Sequence, residues 1–235
     1  MIVADRKPFE EILRLVDEAE HVLVMGCGTC VAVCLAGGDQ EAQVLTAQLE
    51  MAAHMAGRTL EVETATVQRQ CEVEFLDAVA EQVAGCDLVV SLGCGAGTQL
   101  CAERFEPVRV VPAVDTRFVG ANVEAGIWEE TCQACGDCVL HLTGGICPIA
   151  RCSKSLLNGP CGGSCDGHCE IDDKVPCGWQ LIHDRLRAIG RLALLDEVIP
   201  PKNWRQSRHG GPRRREVERA RDSQELLQEG EPVRH

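Results

Sequence analysis

The chain has 235 residues, of which 16 are cysteine and only seven aromatic: four Phe, three Trp and no Tyr. Its formal net charge is −13, divided unevenly: residues 1–201 carry 14 basic and 30 acidic groups, residues 202–235 nine basic and six acidic. So acidic a body excludes nucleic acid as the main partner, because phosphate recognition needs a basic face, and no apolar run approaches the roughly 18–20 residues of a membrane span.

The opening stretch, Met1 to Lys7, lacks the basic-then-apolar pattern of an export signal. The expected location is therefore a reducing cytoplasm, where closely spaced cysteines read as metal or cluster ligands rather than disulfides. Phe9, Ile12, Leu13 and Val16 recur at helical spacing and predict a short amphipathic helix. Residues 21–25 form an apolar run that stops at Gly26, as a buried parallel strand does. Residues 39–56 are rich in helix formers and stop at Gly57. A second strand is expected over 60–67, a helix over 72–84, a third strand over 87–92 ending at Gly93, a helix over 97–105, and a fourth strand over 108–111 ended by Pro112.

This alternation predicts an α/β fold with a Rossmann/flavodoxin-like parallel sheet, helices on both faces, and a ligand site outside the C-terminal ends of the strands. Those ends carry Cys27, Cys71 and Cys94, so three thiols distant in sequence should converge at one edge. The composition changes near residue 126. Nine cysteines and abundant glycine lie between Cys132 and Cys177, with few large apolar groups. Such a segment usually needs metals or disulfides to hold a fold. Residues 176–190 predict a helix with Trp179, Ile182, Leu186 and Ile189 on one face. The expected organisation is an α/β domain over 1–125, a cysteine-rich iron–sulfur or metal domain over 126–200 ending in that helix, and a disordered charged tail over 201–235.

Three constellations bear on chemistry. The first is G-C-G-T-C-V-A-V-C at 26–34, which with Cys71 and Cys94 offers five candidate ligands: Cys27, Cys30, Cys34, Cys71 and Cys94. Soft thiolates suit iron–sulfur clusters or zinc. The alternative is a dinucleotide loop, but Val31 stands where the third glycine of G-x-G-x-x-G should be. The second is C-x2-C-x2-C at Cys132, Cys135 and Cys138, followed by Cys147-Pro148, a ferredoxin-like run with a longer last gap; four-thiolate zinc is the alternative. The third is Cys152, Cys161, Cys169 and Cys177, whose spacing admits either a further cluster or a structural zinc. Cys86, Cys101 and Cys165 are read as spare, and His141 and His168 as structural. Asp137, Arg151 and Lys154 are solvated turn residues by default, able to tune a cluster or meet a partner. No Ser-His-Asp set, HExxH or Walker A motif is present, so no catalytic residue is assigned.

The motifs G-C-G-T-C-V-A-V-C, V-Q-R-Q-C at 67–71, S-L-G-C-G-A-G at 91–97, and C-Q-A-C-G-D-C-V-L-H-L-T-G-G-I-C-P-I-A-R-C-S-K-S-L-L-N-G-P-C-G-G-S at 132–164 resemble the methylenetetrahydrofolate reductase C-terminal domain family. Within it, they resemble the small iron–sulfur subunits of acetogen-type reductases. The resemblance spans about residues 20–190. It implies a cytoplasmic heteromer in one-carbon metabolism of the Wood–Ljungdahl type. A flavin-bearing large subunit would hold FMN and folate, and this chain would pass electrons to that flavin. The external donor would be a ferredoxin or a heterodisulfide-reductase-like module. Carried over by position, Cys27, Cys30, Cys34, Cys71 and Cys94 would supply one cluster site and Cys132, Cys135, Cys138 and Cys147 another, while Cys152, Cys161, Cys169 and Cys177 match further family positions. Two or three 4Fe–4S clusters are implied, with zinc at one site as the alternative, in which case the chain would be a zinc-binding structural subunit of the same reductase.

Overall fold

The computed structural model describes residues 1–216. Four strands make a parallel sheet: β2 (His21–Cys27), β3 (Glu61–Val67), β4 (Leu88–Ser91) and β5 (Arg109–Pro112), in the order β3-β2-β4-β5. The strands are in close register: Val22 lies between Val62 and Leu88, and Met25 between Ala65 and Ser91. β2 and β4 are apolar along their length because both faces are covered, as parallel sheets require. Successive residues point to opposite faces. Val22, Val24, Leu88 and Val90 pack with Leu45 and Leu49 of helix α3 (Asp39–Met55). Leu23, Met25 and Val89 pack on the other face with Leu76, Val83 and Cys101, which come from α4 (Val73–Asp77), α5 (Ala80–Ala84) and α6 (Gly95–Arg104).

The helices follow from local signals. In α3, Ala42, Leu45, Leu49 and Ala53 are buried at helical spacing. The Gly38 N–H donates to the Glu41 carboxylate at 2.8 Å, satisfying one donor at the start of the helix. The helix ends at Gly57, whose φ of +64° allows the Arg58 N–H to return to the Ala53 carbonyl. The single helix expected over 72–84 is instead two short ones, interrupted where the Val79 N–H bonds to the Leu76 carbonyl. The interruption keeps Leu76, Val79 and Val83 all against the sheet.

A second sheet was not anticipated. β1 (Ile2–Arg6), β6 (Val114–Glu124) and β7 (Ile127–Cys132) form an antiparallel sheet in the order β1-β6-β7. Position 126, where the composition changes, falls in the tight turn of the β6–β7 hairpin, at a glycine with φ +80°. Lys7 ties this sheet to α1 (Phe9–Leu15), reaching Asp115 at 2.8 Å and Glu11 at 2.6 Å.

Beyond β7 the chain turns through α7 (Pro148–Arg151) into glycine-rich loops and then α8 (Gly178–Ala188). Trp179, Ile182 and Leu186 are buried against Ile146, Leu156 and Leu194. Ile189, expected on the same face, is half exposed because the helix has ended. Arg151 pairs with Glu129 at 2.5 Å and joins α7 to β7. Within the stretch expected to be a disordered tail, residues 204–206 and 208–210 form short 3-10 turns. Lys202 packs against the 135–138 loop and donates to the Asp137 carbonyl, and Arg213 reaches the Ala134 carbonyl at 2.8 Å. The remainder of that stretch, 217–235, lies outside the described residues. Among the described residues no helix is long and apolar enough to cross a membrane.

Candidate metal centres

All sixteen cysteines are free thiols, with no disulfide among them. The parallel sheet delivers three of them to one edge. Cys27 is the last residue of β2, Cys71 follows β3, and Cys94 caps the start of α6 after β4. The strand order reverses between β2 and β4, so Cys27 and Cys94 flank the crevice where open α/β sheets hold their ligands. Their proximity has an electrostatic trace: the Cys71 thiol is pushed above its ordinary value by burial and then by the neighbouring Cys94 and Cys27. Three thiolates at one point repel one another unless a cation or cluster compensates them.

The other two candidates at this edge differ in role. Cys30 opens the short helix α2 (Cys30–Val33), one turn beyond Cys27, and is half buried. Cys34 is buried, with its Sγ 3.6 Å from the carbonyl oxygens of both Ala4 and Val31. Its S–H is thus engaged with the backbone of β1 and of its own helix, as in a packing cysteine.

A side chain that sequence reasoning passed over sits beneath the three thiols. Gln70 is fully buried. Its Nε2 donates to the carbonyls of Met25 (2.8 Å) and Gly26 (3.3 Å), and its Oε1 accepts from Ser91 Oγ at 2.6 Å. Gly93 and Gly97 make room for it. A Cβ on Gly93 would lie 2.4 Å from Gln70 Oε1, and one on Gly97 2.8 Å from Gln70 Cβ. These glycines make the room that the glutamine occupies. The legible signal was a polar residue at a strand's end within V-Q-R-Q-C.

In the second constellation, Cys132 ends β7, Cys135 and Cys138 follow in the same loop, and Cys147 caps α7. Ala134, at φ +49°, points its N–H at Cys132 Sγ, 3.3 Å away. Cys161 receives the equivalent bond from Gly163 at 3.4 Å. Backbone donors of this kind tune a metal bound to the sulfur.

The third constellation lies around one small cavity. Cys152, Cys161, Cys169 and Cys177 all line a space of about 20 Å³, with Trp179 beside them. Gly178 makes this possible: a Cβ there would meet the Arg151 carbonyl at 2.6 Å and the Cys152 nitrogen at 3.0 Å. Cys169 and Cys177 are fixed by backbone bonds to Val175 and Gly167, each 2.8 Å long. The Cys169 thiol is drawn below its ordinary value by Ser153 Oγ at 3.4 Å, then by backbone N–H groups and the Lys154 ammonium. The four sulfur donors are of the kind that bind a single zinc ion or an iron–sulfur cluster. Among the described residues, no three His, Cys, Asp or Glu side chains are drawn together closely enough to hold a metal ion. The described residues thus close no coordination sphere around any of the three sets.

The three remaining cysteines have ordinary explanations. Cys101 is fully buried on the α6 face of the sheet, and burial pushes its thiol up to about 11. Cys86 donates to the Val83 carbonyl at 3.2 Å. Cys165 is exposed in a turn and lies 3.7 Å from its neighbour Asp166.

The chain's cysteine-rich half has a relative by sequence. A family model described as methylene-tetrahydrofolate reductase C terminal matches residues 111–205. The match begins within β5 and takes in the β6–β7 hairpin, every cysteine from Cys132 to Cys177, α8 and the Lys202 contact. It does not reach Cys27, Cys30, Cys34, Cys71 or Cys94. No curated protein and no solved structure matches the chain. Residues 111–205 are thus similar to the C-terminal part of that reductase, which is consistent with a subunit of that enzyme.

Proposed function

We propose that this chain is an iron–sulfur electron-transfer subunit of a methylenetetrahydrofolate reductase, close to the small subunits of acetogen-type enzymes. It would be docked on a flavin-bearing large subunit and supplied by a ferredoxin or a heterodisulfide-reductase-like module. The observation that supports this reading is that Cys27, Cys71 and Cys94 all follow strand ends at one edge of the four-stranded parallel sheet, in a chain whose residues 111–205 match the reductase family model. Clusters bound here would relay single electrons between the donor and FMN on the partner, where methylenetetrahydrofolate becomes methyltetrahydrofolate. This chain's residues hold and tune them. Cys27, Cys71 and Cys94, with Cys30 as the fourth, form one donor set, and Cys34 is left as a packing residue. Cys132, Cys135, Cys138 and Cys147 form another, with the Ala134 N–H donating to Cys132 Sγ.

The zinc alternative is favoured at one place only. Cys152, Cys161, Cys169 and Cys177 line one cavity with Trp179, and four sulfur ligands at wide, glycine-rich spacing suit a structural zinc. We therefore assign zinc there and iron–sulfur clusters to the other two sets. Iron, sulfide and zinc measured on the anaerobically purified full chain test both assignments. Iron and sulfide in equal amounts, with a broad absorbance near ~400 nm that dithionite bleaches, and one zinc per chain are expected. A colourless preparation with zinc and no iron would overturn the electron-transfer reading, and iron without zinc would overturn the zinc assignment. Co-purification with the flavin subunit, followed by reduction of its FMN only when this chain is present, tests the place in the complex.

A further inference from the structure

Three turns carry the sheet-edge thiols, and they belong to different strands. Nothing in their own sequences sets the distance from one to the next. The structure supplies one connection that touches all three. Gln70, immediately before Cys71, donates through Nε2 to the carbonyls of Met25 and Gly26, the two residues before Cys27. Its Oε1 accepts from Ser91 at the end of β4. Ser91 Oγ also accepts from the Gly93 N–H at 3.1 Å and lies 2.9 Å from Thr98 Oγ1, which in turn donates to the Gly93 carbonyl at 3.2 Å. Gly93 is the residue before Cys94. Every member of this network is buried: Gln70 and Ser91 fully, Thr98 to within 9%. Its contacts fall one or two residues from each thiol.

The geometry points to Gln70 as the positioning residue of this thiol site, with Ser91 and Thr98 completing it. A glutamine is suited to the task. Its amide offers donors to two strand-end carbonyls and an acceptor to a hydroxyl, so a single planar group fixes three backbones in one relation. The fit also explains the glycines of S-L-G-C-G-A-G, since any side chain at 93 or 97 would displace the amide. Glutamate would turn an acceptor toward the Met25 and Gly26 carbonyls, and leucine would remove the Nε2 donor from both, leaving Met25 only its backbone bond from the Leu92 N–H at 2.9 Å. The inference rests on the reading that Cys27, Cys71 and Cys94 hold a cluster. One consequence needs no metal: the thiols should stand close together in the metal-free protein.

The test uses the full chain in two states. In the chelator-treated protein, dibromobimane, which fluoresces only when both arms alkylate neighbouring thiols, should bridge Cys71 to Cys94 or Cys27 in the unaltered chain. It should do so about tenfold less in Gln70→Leu and in the milder Ser91→Ala, with circular dichroism unchanged. In the anaerobic holoprotein, Gln70→Leu should lose the iron that Cys71→Ser loses, and the double variant should lose no more. Ser91→Ala should keep that iron but shift the cluster's EPR signal and midpoint potential. Unchanged bridging, iron content and EPR signal in both variants would overturn the positioning role. If Cys71→Ser removes no iron while bridging still depends on Gln70, the cluster reading fails and the geometric role of Gln70 stands. If Gln70→Leu does not fold, Ser91→Ala decides by the same readouts.

Discussion

The two halves of the molecule hold themselves together by different means. The sheet half has an apolar core on each face, with residues such as Leu23, Met25, Leu49 and Leu88 excluded from water. The cysteine-rich half has one cluster of three buried apolar side chains, Trp179, Ile182 and Leu186, and a buried Ile149 in α7, beneath long loops that expose several of their thiols. On the proposed reading, a metal site in the first half would be added to a fold that stands without it, whereas in the second, with so small a core, the thiol sites would be the main source of order.

The sharpest way to break this comparison is to remove the metals. Anaerobic chelation should abolish hydrogen-exchange protection across 132–200 and leave it in β2, β4 and α3. Structural four-thiolate sites contribute on the order of 10 kcal/mol, as much as or more than so small a core supplies. A protein that loses protection in both halves at once, or in neither, would show that the contrast is wrong.

The next largest effect is expected from Trp179→Ala. Removing the indole from the small core and its N–H bond to the Leu156 carbonyl at 3.0 Å should cost about 3–5 kcal/mol. The loss should be confined to the second half and partly masked while metal is bound. Leu49→Ala should cost about 2–5 kcal/mol and lower the unfolding midpoint of the sheet half whether or not metal is present. Urea titrations of both variants, with and without chelator, measure the difference. Equal metal dependence in the two would remove the distinction.

Within the sheet half, Cys34 and Cys71 offer a finer contrast. Cys34→Ala should leave iron content unchanged and cost about 1 kcal/mol, from its lost contacts with Ala4 and Val31. Cys71→Ala should remove the iron of its site with little effect on the metal-free fold. Iron analysis with thermal unfolding separates them, and iron lost with Cys34 would restore it to the donor set.

The sequence made the parallel sheet legible because both its faces are buried, so β2 and β4 read as unbroken apolar runs bounded by glycine. The convergence of Cys27, Cys71 and Cys94 followed from that topology alone. The antiparallel sheet was hidden because β6 and β7 bury only Val114 and Gly120 and alternate only weakly. The turn at Gly126 was their one clear signal. Gln70 escaped notice because its importance lies in partners at positions 25, 26 and 91, which no local pattern connects. The grouping of Cys152, Cys161, Cys169 and Cys177 was legible from spacing. Their enclosure around a small cavity depends on the close approach of Gly178 to Arg151 and could not be read from the sequence.

The smallest expected effect distinguishes the halves by pH. Asp87, at the N-terminal edge of the sheet and away from the thiols, accepts the His21 N–H at 2.9 Å and the Glu20 N–H at 3.0 Å. Those two bonds, aided by the His21 side chain, hold its carboxyl below the usual carboxylate range. A carboxylate whose folded value is lowered contributes stability that is present above its unfolded value, about 3.9, and is lost as pH falls through the folded value. Asp87→Asn keeps an acceptor but loses the charge, so it should be slightly less stable than the unaltered chain at pH 7. The two should converge as pH falls below about 4. The effect should appear in the unfolding of the sheet half alone, monitored by exchange protection of β2 and β4 in metal-free protein. Asp87 is exposed and its bonds are local, so protection across 132–200 should not respond. A pH-dependent difference in that region would mean that the two halves unfold as one unit.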